Sequence, residues 1–254
     1  MKKLMTLGLI LSAATCGAQS WTNNNEAPNN QPPVEAPEAF LGGLTTFTTL
    51  ADLQNALSTS FTEDFSNTLI GPSDVGGCGP VINSTTASAC FNAGAVIDGF
   101  NVNTEAAGDV VVLTVGFNGI TSNAVGADTF TDVTQITFPG GDVQGVGFDA
   151  YIGFTPADLT ISAFDASDAL IGSYVVSGIG ALPDSRFTGF TSPVPISRVT
   201  LQTAGDGGDL LSNLIFGGTQ PLGPPPAVNA LSTPATILLL LSMLVMGSVL
   251  VRRY

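Results

Sequence analysis

Apolar positions along this chain fall into two kinds of run: long ones at the two ends and short, interrupted ones between. From 40 to 218 the short runs are separated by glycine, aspartate, asparagine, serine and proline, the punctuation of strands joined by turns. Val110-Val111-Val112-Leu113-Thr114-Val115 predicts a buried strand. Gln135-Ile136-Thr137-Phe138 and Val146-Gly147-Phe148-Asp149-Ala150 alternate apolar with polar or small residues. Leu159-Thr160-Ile161-Ser162-Ala163 alternates too, and runs through the turn-forming stretch Asp165 to Ala169 into Leu170-Ile171-Gly172-Ser173-Tyr174-Val175-Val176, which predicts a hairpin. Ile196-Ser197-Arg198-Val199-Thr200-Leu201 and Leu214-Ile215-Phe216 supply closing strands. Apolar residues recur at helical spacing from Thr49 to Leu57, predicting one helix. Many short strands with few helices define an all-β chain, and a segment of this length at 40–218 builds one β-sandwich.

The two ends read differently. Lys2 and Lys3 precede an apolar run from Leu4 to Ala14, and Cys16-Gly17-Ala18 fits the small-x-small cleavage rule. Residues 1–18 are therefore expected to be a signal peptide cut before Gln19. A lipoprotein reading through Cys16 is weaker, because Ala13-Ala14-Thr15 lacks the preceding leucine. Residues 19–39 are rich in asparagine and proline, a composition that builds no core and predicts a disordered linker. Residues 219–233 contain Pro221-Leu222-Gly223-Pro224-Pro225-Pro226, expected to form a stiff spacer. Residues 234–254 then carry an uncharged segment from Ala235 to Val251, which reaches about 25 Å as a helix at ~1.5 Å per residue. This is the expected transmembrane helix, and Arg252 and Arg253 would hold its end on the cytoplasmic side.

Leu231-Ser232-Thr233-Pro234-Ala235-Thr236-Ile237, followed by the apolar segment and Arg252-Arg253, resembles the PEP-CTERM sorting signal of Gram-negative bacteria. The usual motif is Val-Pro-Glu-Pro followed by Ala-Thr-Leu; here Pro234, Ala235 and Thr236 match, while the first proline and the glutamate do not. The resemblance implies export through the inner membrane and processing by an exosortase-type enzyme. It places the mature protein at the cell surface or in the medium. A plain C-terminal anchor that is never cut is the alternative. Within the central region Gly147-Phe148-Asp149, the Ser162-to-Gly172 hairpin, Phe187-Thr188-Gly189-Phe190-Thr191-Ser192 and the closing Ser212-Asn213-Leu214-Ile215-Phe216-Gly217 are similar to a jelly-roll module common in PEP-CTERM proteins. That module is in turn similar to carbohydrate-binding modules, so the resemblance implies a jelly-roll-like sandwich and a polysaccharide partner.

Charge narrows the function. All twenty acids lie between Glu26 and Asp209, whereas beyond the two terminal signals only Arg186 and Arg198 are basic, giving the exported region a net charge of about −18. Such a surface repels nucleic acid and anionic membranes. The absence of histidine excludes a Ser-His-Asp triad, a Cys-His pair and histidine-ligated metal. Glu63 and Glu105, the only glutamates of the globular region, sit in settings expected to be solvated rather than catalytic, so no enzymatic activity is expected. Cys78 and Cys90 remain after signal removal and are expected to pair in an oxidising compartment.

Calcium suits the remaining carboxylates, since it takes six to eight oxygen ligands from flexible loops. Glu63 and Asp64 at the start of the first sandwich strand, Asp206 and Asp209 before the last, and Asn213 within it form the candidate set. Two ordinary acidic turns are the other reading. The sequence thus predicts an exported, non-catalytic cell-surface or matrix protein associated with exopolysaccharide or biofilm, with a calcium-dependent carbohydrate-binding or adhesion module as the alternative.

Overall fold

The computed structural model describes residues 42–219 apart from 86, 107 and 206. The signal peptide, both linkers and the terminal apolar segment lie outside them. Among the described residues no helix is long and apolar enough to cross a membrane.

The chain runs through β1 (Thr45–Phe47), α1 (Leu50–Ala56), β2 (Phe61–Glu63), β3 (Val75–Gly77), β4 (Val81–Asn83), β5 (Asn101–Thr104), β6 (Val110–Leu113) and β7 (Ala124–Ala127). It continues through β8 (Thr134–Thr137), β9 (Gly145–Ile152), β10 (Ala157–Phe164), β11 (Leu170–Ile179), β12 (Ser185–Thr191), β13 (Arg198–Thr203) and β14 (Asp209–Gly217). These strands form two antiparallel sheets. One is six-stranded in the order β11-β10-β13-β8-β5-β4; the other is eight-stranded in the order β1-β12-β9-β14-β7-β6-β3, with β2 also on β14.

β14 organises the larger sheet. One of its edges pairs along β9 from Asp209↔Ile152 to Gly217↔Gly145. Its other edge is shared: Leu210 and Leu211 pair with β7, while Leu214 to Phe216 pair with β2. An irregularity between Ser212 and Ile215, with Asn213 at φ 49°, divides the two halves. It inserts one residue and so reverses which positions face the sandwich core. Before it Leu211 joins the main core and Leu210 the outer cluster; after it Leu214 and Phe216 join the core and Ile215 faces out.

The main core lies between the sheets, with Phe148, Ile161, Ile136, Val199, Leu201 and Phe190 nearly or wholly excluded from solvent. The outer face of the larger sheet is covered too. Val111, Leu113, Ile120, Ala124, Tyr151 and Leu210 form one cluster there, and Leu53 and Leu57 of the α1 region pack on Ile215 to form another. Burial on both faces explains why β6 reads as an uninterrupted apolar run instead of an alternating one.

The helix begins where the sequence places it. Thr49 caps it, its hydroxyl accepting from the Asp52 amide at 3.2 Å. Its seat is made of glycine. A Cβ on Gly145 would collide with Leu57 Cδ2, and one on Gly147 or Gly189 with Leu53 Cδ2. The absence of side chains on β9 and β12 thus lets the helix lie directly on the sheet.

The expected hairpin is present, with Leu159↔Val176 and Phe164↔Leu170 in register. The predicted strand at 110–115 ends at Leu113, because Thr114 leaves the ladder and its hydroxyl donates to Gly71 O at 2.6 Å; Val115 is exposed. The strand expected from Ile196 starts at Arg198, since the amide of Ile196 donates to the Val143 carbonyl and that of Ser197 to the Phe164 carbonyl. Cys78 and Cys90 are bonded as expected, with Cα atoms 5.0 Å apart, and both are buried in the main core.

Candidate functional site

The acidic residues singled out from the sequence separate into distinct places. Glu63 ends β2 and is buried, which corrects the expectation of a solvated glutamate. Its carboxylate accepts from the amide of Phe65 at 2.6 Å and from that of Ile97 at 2.8 Å, so both oxygens are engaged by the main chain. Asp64 is exposed and accepts from the Ser66 amide at 2.9 Å. Asn213 occupies the irregularity of β14, its Nδ2 donating to Asp149 Oδ2 at 2.7 Å. Asp209 starts β14, and Glu63 pairs with Leu214 of the same strand. Five residues at roughly 3.3 Å each hold the two about 16 Å apart along β14, so the strand does not bring them together. Asp206 lies outside the described residues, as do Ser232, Thr233, Pro234, Ala235, Thr236, Arg252 and Arg253 of the sorting signal.

Asp209 lies instead at one end of the sandwich, where the two sheets meet. Thr134 of β8 donates its amide to Asp209 Oδ2 at 2.9 Å and its hydroxyl to the Asp209 carbonyl at 3.1 Å. The Thr134 hydroxyl in turn accepts from the Ala127 amide at 2.9 Å. Asp209 Oδ1 is buried without a hydrogen-bond partner, and so is Oγ1 of Thr203 at the end of β13. Burial pushes the Asp209 carboxyl up to about 7; the Thr134 hydrogen bonds pull the other way, and the nearby Asp132 charge adds to the rise.

The loop between β7 and β8 supplies the rest of this end. Asp132 Oδ1 accepts from the amides of Ala106 and Val133 at 3.0 and 2.8 Å. A Cβ on Gly108 would lie 3.1 Å from Asp132 Oδ2, 3.2 Å from Asp128 Oδ1 and 3.4 Å from Thr104 Oγ1, so only glycine passes easily between the two aspartates. Phe130 packs on Gly208, whose φ of +72° and crowded Cβ position both require glycine. Its ring meets that of exposed Phe154 edge to face, with centroids 4.9 Å apart. Asp132, Thr203 and Thr134 were not singled out from the sequence. The signal was faint: two aspartates flanking a phenylalanine in Asp128-Thr129-Phe130-Thr131-Asp132.

Elsewhere, a shallow groove of about 390 Å³ is lined by Gly141, Asp165, Ser167, Val194, Pro195 and Ile196. Asp165 is committed to its own turn: the Ser167 hydroxyl first, then the Ala169 and Ser167 amides, hold its carboxyl below the usual range. Tyr174 is buried on β11 and shares a 2.8 Å hydrogen bond with Thr188; burial raises its pKa. Arg186 donates to the carbonyls of Ser177 and Gly178. Arg198 pairs with Asp168, its guanidinium 3.8 Å above the Phe164 ring.

These features define an all-β sandwich with a disulfide in its core and an acidic, aromatic loop end. No protein-family model matches the chain, and no curated protein matches it. Among solved structures it is similar to a family 29 carbohydrate-binding module variant in complex with cellulohexaose, at 12% identity over 57% of this chain and 92% of that one, with a TM-score of 0.34. A second family 29 variant matches at 13% identity over 63% and 92%, TM-score 0.32. A family 6 module from Clostridium stercorarium in complex with cellobiose matches at 16% identity over 38% and 75%, TM-score 0.27. The sugars named there are bound by those proteins.

Proposed function

We propose that this chain is an exported, non-catalytic protein of the cell surface or extracellular matrix, sorted through its PEP-CTERM-like C-terminus. The observation that carries the non-catalytic reading is how the carboxylates are used. Glu63, the buried glutamate, spends both oxygens on main-chain amides, whereas Glu105 is exposed and lies just beyond β5 in the other sheet. Two-carboxylate hydrolysis needs a facing pair across an open cleft, whereas Glu63 is sealed in the protein with both oxygens engaged. The core disulfide supports export, since such bonds persist in oxidising compartments.

The test is sorting in a Gram-negative host that carries an exosortase. The full chain should reach the surface or the medium in a C-terminally shortened form. Replacing Arg252 and Arg253 by serine should leave an unprocessed, membrane-held chain. Recovery of the unaltered chain from the cytoplasm, with Cys78 and Cys90 reduced, would overturn the reading.

A second reading, polysaccharide binding, is favoured by the edge-to-face pair of Phe130 and Phe154 beside Asp128 and Asp132. Aromatic faces take the apolar faces of sugar rings, and carboxylates accept their hydroxyls. Retardation of the purified chain in gels containing host exopolysaccharide should be lost in Phe154→Ala; equal mobility with and without polysaccharide would rule this reading out.

A further inference from the structure

Two carboxylates are buried among the described residues, Glu63 and Asp209. Glu63 has partners for both oxygens, but Asp209 Oδ1 has none. A buried charge without a partner is costly, and real structures supply a proton, a cation or a water. Here the cost is compounded, because the charge acting on Asp209 is another carboxylate, Asp132. The described residues contain two side-chain cations, and both are engaged elsewhere: Arg186 on the carbonyls of Ser177 and Gly178, Arg198 on Asp168 and Phe164.

A second buried oxygen without a partner lies close by. Leu201 pairs with Thr134, whose amide holds Asp209, and Thr203 is two residues further along the same strand on the same face. Gly207 closes the other side, its Cβ position 3.3 Å from Thr203 Cβ, two residues before Asp209. Thr203 and Asp209 are 8% and 2% exposed, so solvent does not serve either oxygen. The third such oxygen, Ser212 Oγ, is three residues beyond Asp209 and faces the other side of β14.

We propose that Asp209 Oδ1, Thr203 Oγ1 and the Asp132 carboxylate bind one divalent cation at this end of the sandwich, with Asp128 beside them at Gly108. No group of three acidic or cysteine side chains among the described residues forms a ready-made ligand set. The site is therefore built from two carboxylates and neutral oxygens, which the cation draws together. That donor set, hard and all-oxygen with ligands from loops and strand ends, suits calcium, which tolerates irregular coordination at six to eight ligands. Magnesium, which demands a rigid octahedron, fits it less well. The cation would cancel the repulsion between Asp132 and Asp209 and tie the β7–β8 loop to the start of β14. Cation binding here stands apart from sorting and from polysaccharide recognition, either of which could fail without affecting it.

The experiment is calorimetric titration of the full chain, stripped with chelator and held in mild detergent, with calcium and then with magnesium. Melting curves are recorded alongside. Calcium should bind one per chain and raise the Tm by several degrees, with magnesium at least tenfold weaker. Asp209→Asn and Asp132→Asn should each weaken calcium at least tenfold, whereas Asp64→Asn, on an exposed acid just after β2, should change nothing. Should Asp209→Asn fail to fold, Asp132→Asn and Thr203→Val carry the test, the latter keeping shape while deleting the hydroxyl. Coincident melts in calcium and in chelator would overturn the site and leave the oxygens to a proton or a water, as would full calcium response in both Asp132→Asn and Thr203→Val.

Discussion

Asp209 shows how one side chain can set the pH response of a domain. Its carboxyl ordinarily titrates near 3.8 and is pushed up to about 7 by burial, against the pull of the Thr134 hydrogen bonds. The folded chain therefore keeps this proton between about pH 4 and pH 7, while the unfolded chain releases it. Stability contributed by this group is full below about pH 4, falls as pH rises toward 7, and is level above that. At roughly 1.4 kcal/mol per unit the loss amounts to a few kcal/mol. Asp132 is the charge that acts on it and adds to the rise. In chelator, urea melts from pH 4 to 8 should show wild type losing stability relative to Asp209→Asn as pH rises. Parallel curves for the two proteins would mean that Asp209 stays ionised throughout. Glu63, buried about as deeply, has both oxygens met by main-chain amides.

The elements of this fold were legible to different degrees, for physical reasons. The helix was legible because its evidence is local: a threonine cap, helical spacing of leucines, no proline. The hairpin of β10 and β11 was legible for the same reason, its turn being written into Asp165 to Ala169. The three-residue strands β1, β3 and β4 were not, since each is held by a partner distant in the chain rather than by its own pattern; Thr45 pairs with Thr191 and Val75 with Leu113. The seat of α1 was invisible for a subtler reason. Gly145, Gly147 and Gly189 look like strand-weakening residues until the helix is placed over them. Leu53, fully buried between α1 and those glycines, is the anchor. Leu53→Ala should cost about 2–5 kcal/mol, read as a fall in urea midpoint. A change under 0.5 kcal/mol would mean that the helix is not docked in solution.

At the scale of the molecule, the sequence told more about fold class than about contacts. The sandwich class follows from pattern over long stretches. The acidic loop end does not, because it is assembled from Asp132 on one loop, Thr203 at the end of β13 and Asp209 at the start of β14. Only the facing of two sheets joins them, and Asp209 was grouped from sequence with Glu63, which pairs five residues further along β14. The allocation of the two arginines has a consequence for how the protein meets a protease. A protease that cuts after basic residues finds no lysine between 42 and 219 and two arginines there. One lies within β12 with its guanidinium on neighbouring carbonyls; the other opens β13, paired with Asp168. To trypsin-like digestion the folded domain offers almost no foothold, and amine-seeking cross-linkers find no lysine on it to label.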